Sequence, residues 1–237
     1  MKNKYSSILI HLLIVAAIVG SLYALFNITK PKYFTVSEII IEGNNRIDPS
    51  EIIKRSGIRA GVTSMFFLES IAINNIMENP WASKVQIQKE FPGKITINVL
   101  ESKPYCIIID DKGKPHYLSE NGKKLGPAII KEGLDFPVIL SDGILYSELL
   151  DQAIEILNLS KSSSILNWKE ISEVNISQEH GLKLITVDKR LIEFGIGNIK
   201  SKWYRVEKII SHARTKNLSE DYINISSENL GVVNFNI

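Results

Sequence analysis

One stretch near the start of this chain restricts what it can become more than any other. The run opens at Ile8 and closes at Phe26, and its 19 residues include no Asp, Glu, Lys or Arg. Only His11, Gly20, Ser21 and Tyr23 interrupt it. As a helix rising about 1.5 Å per residue it reaches about 28 Å, enough to cross the hydrocarbon core of a bilayer. A cleaved export signal is the competing reading, because Lys2 and Lys4 precede the run. Such signals carry about 7–15 apolar residues and end in a small-x-small site. Here Leu22-Tyr23-Ala24 puts a bulky side chain where a small one is needed. The expected organisation is a tail over 1–7, a retained anchor over 8–26 and a polar, Pro-containing linker over 27–33. Lys30 and Lys32 balance Lys2 and Lys4 across the span, so charge alone does not orient it.

Beyond the linker the pattern is that of folded protein, and the whole chain has a matching composition, 44% hydrophobic and 23% charged. The net charge is +2, and no Lys/Arg face interleaved with aromatics is present, which argues against a nucleic-acid partner. A single cysteine, Cys106, leaves no intrachain disulfide and no multi-cysteine metal site. Val36, Ile39, Ile40 and Ile41 predict a strand closed by the turn Gly43-Asn44-Asn45. Asp48-Pro49-Ser50-Glu51 is a helix start, with Asp as cap and Pro in the first turn, and Gly57 stops that helix. A second helix over 69–78 ends at Pro80. Two alternating strands come next, on Val85 and Ile87 and on Ile95, Ile97 and Val99, joined by the turn Phe91-Pro92-Gly93-Lys94. Strand, helix, helix, strand, strand fits in a domain over 34–103, with Trp81 and Val85 expected in its core.

A second domain, over 104–237, reads as strand-rich with two amphipathic helices at 147–159 and 199–214. Apolar runs at 105–109, 171–176, 182–187, 191–194, 222–225 and 231–235 predict strands, and Asn121-Gly122 a hairpin turn. The fold class is therefore α+β. Catalytic chemistry finds little to stand on. Cys106 lies in an apolar run with no base nearby and reads as a buried structural residue. His116 and His180 fall in turns without metal-ligand spacing and read as surface residues, His11 lies near the start of the anchor, and His212 falls on the wet side of its helix. Asp110 and Asp111 are adjacent, so on a strand they point to opposite faces, and they are expected to start a turn. Gly195-Ile196-Gly197 lacks the third glycine of a dinucleotide fingerprint and reads as a turn leading into the next helix.

Taken in order, these segments resemble the FtsQ/DivIB family of cell-division proteins. The resemblance rests on Ile41-Glu42-Gly43-Asn44, Asn79-Pro80-Trp81, Phe91-Pro92 and Leu100-Glu101-Ser102-Lys103-Pro104 in the first domain. In the second it rests on Tyr117-Leu118-Ser119-Glu120-Asn121-Gly122, Phe136-Pro137-Val138-Ile139, Glu193-Phe194-Gly195 and Tyr222-Ile223-Asn224-Ile225. It implies a transmembrane helix, a polypeptide-transport-associated (POTRA) domain and a β-domain, with the N-terminus in the cytoplasm. The two domains would stand in the periplasm or cell-wall space at the division septum. It implies a scaffold and no enzyme, without cofactor, metal or small-molecule substrate. FtsB/FtsL-type coiled-coil proteins would bind by strand addition, and other division proteins through the POTRA domain. Carried over by position, the partner contacts are Ser227, Asn229, Gly231, Val233 and Phe235, with Val233 and Phe235 on one face and Phe235 as anchor. The segment 231–235 holds no Lys, Pro or inward charge to guard an open edge, although another strand of the sheet is an alternative cover. Asn224 and Ser226 stand where the family commonly has Asp and Arg. A POTRA-bearing export component is the other function considered; an export porin would need many more membrane strands.

The retained span sets one expected outcome. A periplasmic-type reporter fused after Ile237 is active outside the cytoplasm, and the chain leaves the membrane only with detergent. A soluble form beginning just after Ala24 would show a cleaved signal instead.

Overall fold

The structure, a computed structural model, describes residues 2–33, 35–62, 67–110, 112–129, 135–141 and 147–236. Helix α1, Lys2–Tyr33, contains the apolar segment Ile10–Asn27, whose side chains are all exposed and whose length suits a bilayer crossing. Within the apolar segment the Ser21 hydroxyl donates to the Ala17 carbonyl at 2.8 Å and the Asn27 amide to the Tyr23 carbonyl at 3.0 Å. The helix continues through the stretch expected to be a linker, 27–33. The chain divides into two compact units between Glu101 and Ser102.

In the first unit β1 (Glu38–Glu42), α2 (Pro49–Ser56), α3 (Glu69–Met77), β2 (Ala82–Glu90) and β3 (Lys94–Glu101) come in the predicted order. The sheet runs β1-β3-β2, with β3 central, parallel to β1 and antiparallel to β2. Asp48 caps α2 by accepting from the Ser50 N–H at 2.7 Å. Ile52, Ala72 and Ile76 from the helices bury against Ile95, Ile97 and Val99 of β3. Val85 joins this core, whereas Trp81 is only half-buried at its rim, with the Arg46 guanidinium 4.6 Å from its ring centroid. The carboxylate of Glu101, at the end of β3, accepts from the backbone N–H groups of Asn45 and Arg46 at 2.9 Å and of Ile47 at 2.8 Å. It thereby ties the last strand to the turn after the first.

The second unit holds β4 (Cys106–Ile109), β5 (Pro115–Leu118), β6 (Lys124–Pro127), β7 (Val138–Ser141), α4 (Ser147–Ser162), β8 (Ile171–Ser177), β9 (Gly181–Thr186), β10 (Leu191–Gly195), α5 (Ile199–Thr215), β11 (Ser219–Asn224) and β12 (Val232–Asn236). They form one sheet in the order β12-β11-β10-β9-β8-β7-β4-β5-β6. Of these, β6 and β7 were not expected as strands. Helices α4 and α5 cover one face of the sheet: Leu149, Ile156, Leu157, Trp203, Val206 and Ile210 pack on Val174, Leu184, Ile192, Phe194 and Ile223. The opposite face of this mixed sheet carries half-exposed polar residues on β8, β9 and β10, Glu173, Asn175, Lys183 and Glu193, while Ile107 and Tyr117 are buried on it. Cys106 lies in the core, where burial pushes its thiol up to about 12, so it is inert at neutral pH.

Gly43 carries a tight turn of the first unit. Its φ is +78°, and a Cβ there would run into the Val99 carbonyl oxygen. Gly43→Ala is expected to destabilise that unit by at least about 1–3 kcal/mol, through both the left-handed backbone and the collision. Scanning calorimetry reads this as a lower midpoint; an unchanged midpoint would contradict the turn geometry.

Candidate functional site

The candidate site grows out of one connection. Because β11 runs parallel to β10, a crossover must join them, and α5 supplies it. The chain then turns back antiparallel into β12, which pairs with β11 and with no other strand among the described residues. Its outer backbone groups therefore face away from the sheet, open to a further strand. The opposite end of the sheet, β6, is short and carries Lys124 and Pro127, two devices that discourage pairing. β12 has neither.

Of the sequence-derived contacts, Ser227, Asn229 and Gly231 lie in the exposed turn between β11 and β12. Val233 and Phe235 lie on β12, opposite Ile223 and Glu220. The two share a face, the one turned toward the domain's own core: Val233 packs on that core and Phe235 is half-buried. Phe235 is thus less prominent than a free-standing anchor. The apolar side chains most offered to solvent beside this edge are Leu230, 73% exposed, and Val232, 63% exposed. Neither was among the contacts expected from the sequence; with Val233 turned to the core, alternation along β12 puts Val232 on the other face.

Side chains hold this hairpin from several sides. Arg205 of α5 donates to the carbonyls of Ser227 at 2.7 Å, Glu228 at 2.8 Å and Leu230 at 2.8 Å, gripping the turn. At the other end of β11, Glu220 and Arg190 form a buried ion pair, Nε to Oε1 at 3.2 Å, and the Arg190 Nε also donates to the Glu220 carbonyl at 3.1 Å. Between these, Glu193 of β10 accepts from the Tyr222 hydroxyl at 2.9 Å and the Asn224 amide at 2.7 Å, and pairs with Lys183 at 3.0 Å. Partial burial works to raise the Glu193 carboxyl, but the bonds from Lys183 and Tyr222 outweigh it and hold the group below its usual range. The Asn224 Oδ1 in turn accepts from the Ser226 N–H at 3.0 Å and hydroxyl at 2.7 Å. Asn224 and Ser226 are therefore spent on bonds inside the chain. Gly195, at φ +68°, makes room for this corner, since a Cβ there would approach the Ser226 Cβ to 2.8 Å. The Gly195-Ile196-Gly197 turn does lead into α5, and its Gly197 N–H donates to the Gln152 side chain at 2.9 Å.

Among the described residues the catalytic candidates do not come together. His116 departs from expectation: it is half-buried and bonded to Asp110 across the β4–β5 hairpin at 3.0 Å. Asp110 also accepts from the Lys114 N–H at 2.8 Å and the Lys112 N–H at 3.0 Å, and these bonds, with that to His116, hold its carboxyl below the usual range. This is a turn lock, the turn role foreseen for Asp110; Asp111 lies outside the described residues. His180 and His212 are exposed. Among the described residues no group of three His, Cys, Asp or Glu side chains is placed to hold a metal.

Comparison with known proteins bears on the same residues. A family model described as the FtsQ-type POTRA domain matches residues 34–102. The chain is 26% identical over 205 residues to the cell division protein FtsQ of Geotalea daltonii, covering 81% of this chain and 73% of that protein. It is 28% identical over 200 residues to FtsQ of Syntrophotalea carbinolica, covering 81% and 70% respectively. With the cell division protein DivIB of Staphylococcus aureus it shares 32% identity over 90 residues, 38% of this chain and 20% of that one.

The Arg205 grip sets the expected outcome here. Arg205→Ala removes three bonds to the turn, and amide exchange over 226–236 is expected to quicken roughly tenfold while β8 and β9 stay protected. Unchanged exchange in the turn would show that the hairpin holds without it.

Proposed function

We propose that this chain, which belongs to the FtsQ/DivIB family of cell-division proteins, is a membrane-anchored scaffold that receives a partner strand on β12. In this reading α1 crosses the cytoplasmic membrane once, with the N-terminus in the cytoplasm. Both folded units then stand in the periplasm or cell-wall space at the division septum. The partners are FtsB/FtsL-type coiled-coil proteins at the β-domain and other division proteins at the POTRA domain. No catalytic step is involved. The observation that carries the reading is the unguarded edge of β12, which no other strand among the described residues covers. A strand laid there gains affinity from backbone hydrogen bonds and specificity from the side chains that alternate along it. Ser227, Asn229, Gly231, Val233 and Phe235 are the contacts proposed, and Leu230 and Val232 extend the apolar part of the surface.

Capture of the FtsB/FtsL-type pair by the full chain in detergent tests this. Val233→Pro removes a backbone donor and obstructs strand addition; Phe235→Ala removes an aromatic ring and leaves the backbone intact. Each is expected to weaken capture at least about tenfold, with circular dichroism unchanged. Undiminished capture by both folded variants places the partner site elsewhere.

A further inference from the structure

The helices that cover the β-domain sheet have an outer side that strand addition leaves unused. Strands β8 and β10 both run against β9, so the crossovers α4 and α5 run in the same direction. The Gly197 N–H donates to Gln152 at 2.9 Å beside their starts, and the Ser163 hydroxyl donates to Glu207 at 2.6 Å where α4 ends. From there α5 continues alone from Lys208 to Thr215, about 12 Å.

The outer side carries unlike charge at opposite corners. Glu148, Asp151 and Glu155 are exposed on the first part of α4, and no Lys, Arg or His occurs from Ser147 to Ser160. Lys208, His212 and Lys216, four residues apart, are exposed along the last turns of α5 and just past it, and no Asp or Glu occurs from Lys208 to Leu218. Among the described residues none of these six side chains makes an ion pair within the chain. Helix dipoles favour an acid in a first turn and a cation in a last one, but their influence fades within that turn. They account for Glu148 and Lys216 and leave Asp151, Glu155 and Lys208 without an internal reason.

Shape follows charge. Asp151 and Glu155 border a hollow of about 510 Å³ that Ile154 and Leu159 also line. Such a hollow suits a lysine, whose methylene stem lies on apolar surface while the ammonium reaches the carboxylates. One turn before Lys208, between the two corners, Tyr204 is 58% exposed, with the Lys208 ammonium 4.5 Å from its ring centroid.

We propose that this side of the β-domain binds a second copy of the chain about a two-fold axis passing near Tyr204. When a patch and its opposite share one face, such an axis brings them together twice, because residue i meets j and j meets i. The Lys208 row of each copy lies over the Asp151–Glu155 hollow of the other. Tyr204 stands between the two sets, where interfaces place their aromatic anchors. An anionic membrane or polymer would answer the lysines and be repelled by the carboxylates on the same side; a second copy answers both.

Two differently tagged forms of the full chain, mixed in detergent micelles, test this by co-capture over a range of salt. Capture is expected at low salt and falls as salt screens the exposed charges. Asp151→Lys with Glu155→Lys in one variant, and Lys208→Glu with Lys216→Glu in another, each lower self-capture at least about tenfold, since like charges then face each other. Mixed together, the two variants recover capture, because every facing pair is again of opposite sign. All four positions are exposed, and circular dichroism is expected to stay unchanged. Absence of capture by the parent chain at low salt overturns the proposal. So does self-capture that either reversal leaves intact, or a mixture of the two folded variants that fails to recover it.

Discussion

The C-terminal third of the molecule depends on one crossover. A strand parallel to its predecessor cannot be reached by a tight turn, so α5 must travel the length of the sheet between β10 and β11. In doing so it lays Trp203, Val206 and Ile210 over Phe194, Ile192 and Ile223. Trp203 stacks on Phe194 with ring centroids 6.2 Å apart. The same helix that closes the core carries Arg205 to the turn of the last hairpin. Covering the sheet and presenting its edge are therefore one piece of construction.

Electrostatics finishes what packing begins. The hairpin of β11 and β12 would be marginal by itself, as two-stranded ribbons are in water. Here a guanidinium is bonded to its turn, a buried ion pair sits under its open end, and a carboxylate bonded to Tyr222 and Asn224 spans the strands beside it. An edge held in this way loses little freedom when something docks on it, and preorganisation of that kind favours tight association. In the POTRA domain the Glu101 carboxylate has a comparable duty, drawing three backbone N–H groups of the β1–α2 turn to the end of β3.

Much of this was legible in the sequence, because its signals were local. The alternation through Val85, Ile87, Ile95, Ile97 and Val99 and the cap at Asp48 turned up as read. What escaped depended on partners distant in sequence or on weak local preference. The four residues of β6 include a lysine, a glycine and a proline and have no strand tendency; pairing with β5 makes them a strand. β7 is only four residues long and owes its place to β4 and β8 on either side. His116 looked like a surface turn residue because its mate, Asp110, becomes its neighbour only once the hairpin register is set. At the edge itself, the backbone was readable but the depth of each side chain was not. Phe235 leans on its own domain because it shares a face with Val233, and which face turns inward is set only once β12 is paired with β11.

The unequal ends of the nine-stranded sheet have a consequence for assembly. Fibres grow when every unit offers two sticky edges, one to receive and one to be received. Among the described residues this sheet ends in Lys124 and Pro127 on one side and in bare backbone on the other. Whatever joins β12 meets no second docking edge on the same unit to carry the pattern onward. If β12 receives a strand, as proposed, the sheet is a socket with a blank back, and addition terminates after one step instead of propagating.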